Sequence, residues 1–289
     1  ITYTIGNGIS DNVVANVLTN IQQVNYDDDV NSTGVIPVFN FVKNTVAVTN
    51  PIPATGAKNS DTLQDVKNNA LANFATQNRT VTRDDYIIRA YSMPAKYGSI
   101  SKSYIVPDDQ IIQEDYTQNR LPNPLALNMY VLGFNENKQL VALNTAIKEN
   151  LKTYLNHYRI LTDAINIKDA FIINIGLDFE ISVLSNYNSN EVLLNCINAL
   201  KQFFDTDRWQ INQPIVLSDI FNVIVNVKGV QSVVNVKFKN LYDSDLGYSG
   251  NVYDLNAATK NNVIYPSLDP SIFEVKFPNQ DIKGRVVNY

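Results

Sequence analysis

Apolar positions along the chain change their period several times, and those changes divide it. Ile1–Ile5 (ITYTI) alternates β-branched and aromatic residues, and strand-like pieces recur across Val35–Val48 (VIPVFNFV, NTVAV). Between them Gly6-Asn7-Gly8 reads as a hairpin turn, with glycines where a positive φ is needed. The prolines of Asn50-Pro51-Ile52-Pro53-Ala54-Thr55-Gly56 remove ladder donors and fix φ, so this stretch is a link. From Asp61 the spacing becomes helical: Leu63, Val66, Ala70 and Phe74 recur at three and four, which places them along one face of a helix. A second helix starts at Thr82, which can cap while Asp85 answers from the third helical position and Val81 staples onto Tyr86. Pro94 and Gly98 end it, and Ile100–Val106 follows as a strand.

A polar loop then runs from Pro107 to Pro124 before the strand Leu125–Phe134. Leu143, Ile147, Leu151, Tyr154 and Tyr158 form one helical stripe. Ala164–Ile167 and Ala170–Leu184 are strands, the second alternating Ile173, Ile175, Leu177, Phe179, Ile181 and Val183. Asn188 and Glu191 open a further helix whose predicted buried stripe is Leu193, Ile197, Leu200 and Phe204. Ser218 to about Val227 is helical, Gly229 ends it, and Val230–Phe238 is a strand. The segments Val81–Tyr104 and Val216–Val236 echo one another as helix, glycine, strand. Beyond them the chain is Tyr- and Asn-rich with few periodic segments, and reads as an irregular extension wrapping over the body or a partner.

These elements predict an α+β fold of small mixed modules with a β-rich N-terminal segment, in an elongated chain. The divisions are a segment and link over 1–60, a first α+β module over 61–168, and a second over 169–289 carrying the irregular extension. The length, 289 residues, suits one large domain or two ordinary ones. The first residue is Ile, with no secretory pattern behind it, so the start is expected to lie within a longer polypeptide. No stretch reaches the 18 apolar residues of a membrane span.

Charge and composition then narrow the chemistry. Acidic residues number 28 against 23 basic, a formal net charge of −5, which argues against a nucleic-acid partner because gripping phosphates needs clustered cations. Asn occupies 40 positions, and a surface wetted by amides costs less to desolvate in protein contacts than a charged one. The single Cys excludes an internal disulfide framework, and the single His excludes His-rich metal sites.

Each candidate for chemistry has a plainer role that fits better. His157 lies on the polar side of its helix and reads as solvated rather than as a catalytic base. Cys196 shares a face with Leu193, Ile197 and Leu200, where a thiol is a small hydrophobe. Asp27-Asp28-Asp29 lacks the spaced ligands of a calcium loop, and Asp205 with Asp207 sits where a helix ends and Asp is ordinary in a turn. Gly6-Asn7-Gly8 lacks the third glycine of a dinucleotide site. Asn31-Ser32-Thr33 and Asn78-Arg79-Thr80 match glycosylation acceptors without a secretory context. No catalytic residue, cofactor or metal is therefore assigned. Tyr116, Arg120 and Trp209 stand in polar, loop-like sequence and are the interface candidates, since large aromatics and Arg anchor interfaces; a Trp at the end of a helix equally well folds back onto the core, and both readings stay open.

One ordered set of short motifs goes further. Gly6 and Gly8, then Asn50-Pro51 and Gly56, then Arg79, Val81, Thr82, Asp85 and Tyr86 follow the order found in the baseplate J-like family of contractile-tailed bacteriophages, which the chain resembles over residues 5 to 92 and loosely to 238. Departures are local: Gly56-Ala57 stands for a double glycine, Ala70-Leu71 for Ala-Pro, Pro94 is separated from Gly98, and Pro107–Pro124 reads as an insertion. The resemblance is greatest to the C-terminal half of the family's ring-forming wedge members. It implies a structural virion protein of the phage tail, assembled in the host cytoplasm. Its partners would be itself, through homodimer contacts that build a ring around the tail hub, and other baseplate wedge proteins. It implies no membrane and no small-molecule substrate. The Asn50–Gly56 link and the Pro107–Pro124 loop are the expected junctions between modules. Two rivals stand beside it. One is a receptor- or glycan-binding tail or surface module, suggested by 16 Tyr and the many Asn. The other is a hydrolase using Asp205 and Asp207 or Glu114 and Asp115.

Overall fold

The computed structural model describes residues 8–23, 41, 44–57, 59, 63, 66–67, 70–71, 79–107 and 126–287. Helices and sheets mix along the chain, so the fold is α+β. A first four-stranded sheet is built from β1 (Lys102–Pro107), β2 (Ala126–Phe134), β3 (Leu140–Val141) and β4 (Ala164–Asp169). β2 is central, antiparallel to β1 and β3 and parallel to β4. Two helices, α1 (Arg83–Tyr91) and α2 (Thr145–Asn156), share a core with this sheet: Tyr86, Ala90, Ile105, Met129, Val131, Leu151 and Leu155 are all buried there.

A second sheet is organised on β5 (Phe171–Val183), which pairs antiparallel with β7 (Val230–Asn240) and parallel with β10 (Ser271–Glu274) and β11 (Ile282–Val286). The helices α3 (Ser189–Phe203) and α4 (Leu217–Val225) pack on it, α3 against β11 and α4 against β7. Short strands β6 (Ile215–Val216), β8 (Thr259–Lys260) and β9 (Val263–Ile264) form a small third sheet. One-turn helices α5 (Leu255–Ala258) and α6 (Pro278–Asp281) punctuate the end of the chain.

The two cores meet at β2. Strand side chains alternate in direction, so Met129 and Val131 face the first core while Tyr130, Leu132 and Phe134 join the second. A strand buried on both faces reads as an unbroken apolar run, as LALNMYVLGF does.

Several local readings hold. Thr82 accepts from the Asp85 N–H at 3.2 Å and Asp85 accepts from the Thr82 N–H at 2.8 Å, the reciprocal box that starts α1. Asn188 caps α3 by accepting from the Asn190 N–H, and Gly229 adopts φ 99° after α4. The echo is partial, because Val216 precedes α4 with no side-chain cap where Thr82 caps α1.

Other expectations are corrected. Among the described residues up to 57 there is no strand; Gly8 (φ 71°) opens a 3-10 turn, Gly8–Asp11, and positions 41, 44 and 45 are helical. Ile1–Ile5, Gly6 and Asn7 lie outside the described residues. Leu63, Val66 and Ala70 are helical as the period requires, and that face is exposed at all three; Phe74 lies outside the described residues. Val81 is also exposed, so it adds little as a staple. In α3 the predicted stripe holds at Leu200 and Phe204, both buried, while its first half is turned so that Val192 and Cys196 are buried and Leu193 and Ile197 lie on the flank. The largest correction concerns the tail. In place of an irregular extension it supplies β10 and β11, and every residue of β10 is buried. β10, four residues long and paired with a partner a hundred residues away, is buried throughout and so shows no alternation to read, while β11 alternates over only five residues with Gly284 among them.

Candidate functional site

The motif residues from Thr82 to Tyr86 gather at α1, and Gly56 packs against α2. Thr80, buried, donates from its N–H (2.9 Å) and its hydroxyl (3.0 Å) to the Tyr158 carbonyl just past α2, and forms a lone bridge with Arg159. The capping box next to it then points α1 so that Tyr86 is buried and its hydroxyl donates to Asp163 Oδ2 at 2.7 Å. Arg159 in turn donates to the Asp163 carbonyl, and the Arg89 guanidinium lies 4.4 Å over the Tyr158 ring. Partial burial of Asp85 works against ionisation, but the N–H groups of Thr82 and Val81, the Thr82 hydroxyl and the charge of Arg89 outweigh it and lower its pKa. Burial, and then the bond to Asp163, push the Tyr86 phenol up to about 12. Arg79 is exposed. These groups lock α1 to the end of α2.

The proline–glycine link docks at the other end of α2. Gly56, at φ 94°, accepts through its carbonyl from the Ser99 N–H (2.7 Å) and hydroxyl (2.8 Å), and any Cβ there would overlap Ile147 Cδ1. Asn50 ties the strand of chain before it, donating to the Val14 carbonyl at 2.8 Å and accepting from the Leu18 N–H at 2.9 Å. Pro51 is exposed. Asn12, which no pattern marked, is buried, exchanges both hydrogen bonds with the Ala57 backbone and donates to the Phe134 carbonyl.

A second polar constellation joins the two sheets. Three consecutive residues of the β2–β3 hairpin reach across. Lys138 Nζ sits 2.6 Å from Asp207 and 3.9 Å from Asp205, Gln139 donates to the Lys276 carbonyl, and the Leu140 N–H donates to Glu274 Oε1 at 2.7 Å. Glu274 Oε2 also accepts from Asn174 Nδ2 at 2.9 Å. From β1, the buried Lys102 donates to the Asp207 carbonyl at 3.1 Å. Burial lowers the Lys102 ammonium to about 8, with Asp207 and Asp205 opposing the shift and Lys138 adding to it. Burial raises Glu274, against the Leu140 N–H, Lys276 and Asn174. Lys102, Lys138, Asn174 and Glu274 escaped the sequence reading because each sits singly in an otherwise ordinary strand or turn.

His157 is exposed at the end of α2. Cys196 is fully buried, its thiol pushed up to about 11 by burial. Asp205 and Asp207 pair with Lys138, and among the described residues no group of three His, Cys, Asp or Glu side chains could hold a metal ion. Among those residues, too, no helix is long and apolar enough to cross a membrane.

Trp209 is corrected as an interface candidate. It is 4% exposed, stacks on Phe204 at 5.6 Å between ring centres, and donates from Nε1 to the Phe203 carbonyl at 3.0 Å, so it belongs to the second core. Tyr116 and Arg120, with Glu114, Asp115, Asp27-Asp28-Asp29 and Asn31, lie outside the described residues.

No protein-family model matches the chain, and no curated protein matches it. Among solved structures it is similar to a chain of the anti-feeding prophage (AFP) baseplate, determined by cryo-electron microscopy with six-fold symmetrisation. Identity is 13% and the TM-score 0.45, over 80% of this chain and 46% of that one. The match thus takes in about half of that neighbour's length.

Proposed function

We propose that the chain is a structural subunit of a contractile-tail baseplate wedge, of the ring-forming kind found in T-even-like phages. In this reading copies self-associate around the tail hub, other wedge proteins dock on them, and the ring rearranges on host attachment to release sheath contraction. Its work is done by gripping neighbours, with no bond made or broken in a substrate.

The observation that carries the reading is the role of the motif residues. Thr82, Asp85 and Tyr86 cap and anchor α1, Asn50 ties the link, and Gly56 lets it close against Ile147. None of these contacts presents a nucleophile or a proton to a ligand. A part that moves as a rigid body needs such internal bracing, with its freedom confined to junctions.

Sedimentation and light scattering of the chain across a concentration series, followed by electron microscopy of any oligomer, test the proposal. Concentration-dependent association into closed assemblies is expected. A chain that remains a monomer throughout, or one that turns over a small molecule, would overturn it.

A further inference from the structure

β7 is an edge strand. Its partner β5 lies on one side, and among the described residues no strand pairs with the other. The register shows which backbone groups are left over. The Leu241 N–H donates to the Asn174 carbonyl at 2.9 Å, and in an antiparallel ladder such pairs recur at every second residue. Lys239, Lys237 and Asn235 therefore turn their backbone groups toward β5. Val236 and Phe238 turn theirs away, and no described residue bonds to them. Irregularities opposite Glu180/Ile181 and Ser182/Val183 interrupt the first half of β7, whereas 235–240 runs against β5 in unbroken register. A free edge in regular register offers ladder bonds to an added strand.

Charge selects what that strand can carry. Leu177, Phe179 and Ile181 of β5 share the second core with α3, so Asp178 and Glu180 lie on the opposite face of the sheet. There Lys237, Asp178 and Lys283 stand abreast on β7, β5 and β11, and Asn235, Glu180 and Arg285 form the next row. Lys239 is paired with Asp178 and Arg285 with Glu180, which leaves Lys237 and Lys283 exposed without an ion pair among the described residues. The face thus holds a surplus of positive charge, on a chain whose net charge is −5. A second copy of β7 fits this edge badly, because it would set lysine against lysine. A phosphate backbone fits badly too, since it would run over two carboxylates and offers no N–H to the Val236 and Phe238 carbonyls. An extended polypeptide with Asp or Glu at alternate positions meets both demands. Its backbone continues the ladder, and its carboxylates come opposite Lys237 and Lys239, about 5 Å away between Cβ atoms as cross-strand neighbours are. We propose that the outer edge of β7 over 235–239 is the docking site of an extended acidic segment of another protein, added to the second sheet as a further strand. The inference stands on the edge and its lysines and does not rest on the subunit proposal above.

The probe is a capped eight-residue peptide alternating glutamate and valine, titrated into the nitrogen-15-labelled chain and followed by amide NMR. Saturable shifts centred on the amides of Val236 and Phe238 are expected. Replacing glutamate by lysine in the peptide should raise the dissociation constant at least about tenfold. N-methylating one alternate set of peptide amides should do the same, and N-methylating the other set should change little, because only one set of an added strand faces β7. On the protein side, Lys237→Gln with Lys239→Gln should weaken the peptide while leaving the melting temperature unchanged, whereas Lys152→Gln, exposed on α2, should do neither. No shift at millimolar peptide, shifts centred elsewhere, or equal binding of the lysine peptide would each overturn the proposal. Equal effects of the two N-methylated sets would show attraction without an added strand and also reject it. So would an oligothymidylate that shifts the same amides as strongly as the acidic peptide. Should the double variant misfold, the peptide comparisons, all made on the wild-type chain, decide the matter.

Discussion

Glu274 on β10 accepts a hydrogen bond from the backbone N–H of Leu140 on β3 at 2.7 Å, so a buried carboxylate closes the seam between the two sheets. Its second oxygen takes the Asn174 amide, leaving both oxygens occupied by donors. Removing the carboxylate strands two buried donors, each costing its desolvation.

Glu274→Ala should therefore destabilise the fold by about 3 kcal/mol, read from urea unfolding. The pH dependence has a definite sign. Burial raises the folded-state pKa above the ordinary carboxylate value, so between the two values the native state holds the extra proton. This group's contribution is fully present below its unfolded pKa and is lost as pH rises through the folded pKa. Glu274→Gln should flatten that limb of the stability profile.

Lys102 produces the opposite slope at alkaline pH. Its folded pKa, about 8, lies below the ordinary 10.5, so the contribution is present above 10.5 and is lost as pH falls through about 8. The difference corresponds to about 3 kcal/mol. Stability measured at intervals from pH 7.5 to 10.5 should rise less steeply in Lys102→Met than in wild type. Parallel profiles would mean that the ammonium is solvated.

Trp209→Phe and Trp209→Ala separate packing from binding. Because the indole stacks on Phe204 within the second core, truncation to Ala should cost about 3–5 kcal/mol, with the Phe variant intermediate. Affinity for a second copy, measured under conditions where the Phe variant is folded, should not change. As the only tryptophan, its emission also reports unfolding of the wild type directly.

Gly56→Ala should cost about 2 kcal/mol, from positive φ and from overlap with Ile147. Trimming the neighbour distinguishes the two causes. In Gly56→Ala with Ile147→Val, a double-mutant cycle by urea unfolding should recover the steric part and leave the backbone part. Strict additivity would show that the two residues do not touch.

Thr82→Ala should lower stability by about 1 kcal/mol through loss of the α1 cap. Asp85 sharpens this at acid pH. Its pKa is lowered in the folded state, so its contribution is present above the unfolded carboxylate pKa and is lost as pH falls through the folded one. Thermal melts of Asp85→Asn between pH 2 and 7 should lack that loss.

The α1 start was legible because its signal is local: Thr82 and Asp85 find each other within one turn, whatever surrounds them. The same holds for the link, where proline and glycine act on their own φ angles. β2 and β5 were legible because long apolar strands carry enough residues to show a pattern. Val192 in place of Leu193 was not, since the turn of the first half of α3 depends on what β11 presents to it. Leu63 and Val66 show the converse, because periodicity announces a helix face but cannot say whether anything covers it.

For the candidate site the division is similar. Thr82, Asp85, Tyr86 and Gly56 could be named beforehand, being part of an ordered motif with turn and cap chemistry. Asn12, Lys102 and Glu274 could not, because a buried polar residue is recognisable only through partners far along the chain. Trp209 stayed open between interface and core for the same reason: its loop is polar, and only the fold shows the indole stacked on Phe204.

By itself, then, the amino-acid order determined where α1 and α3 begin, that the chain turns at Gly229, and that the protein mixes helices with sheets. Those outcomes depend on hydrogen bonds and steric limits within a few residues. Tertiary structure alone decided that β10 and β11 flank β5 and that a lysine and a glutamate brace the seam. Each of these depends on surfaces brought together from distant parts of the chain, where burial and pairing are properties of the assembled fold and not of any short segment.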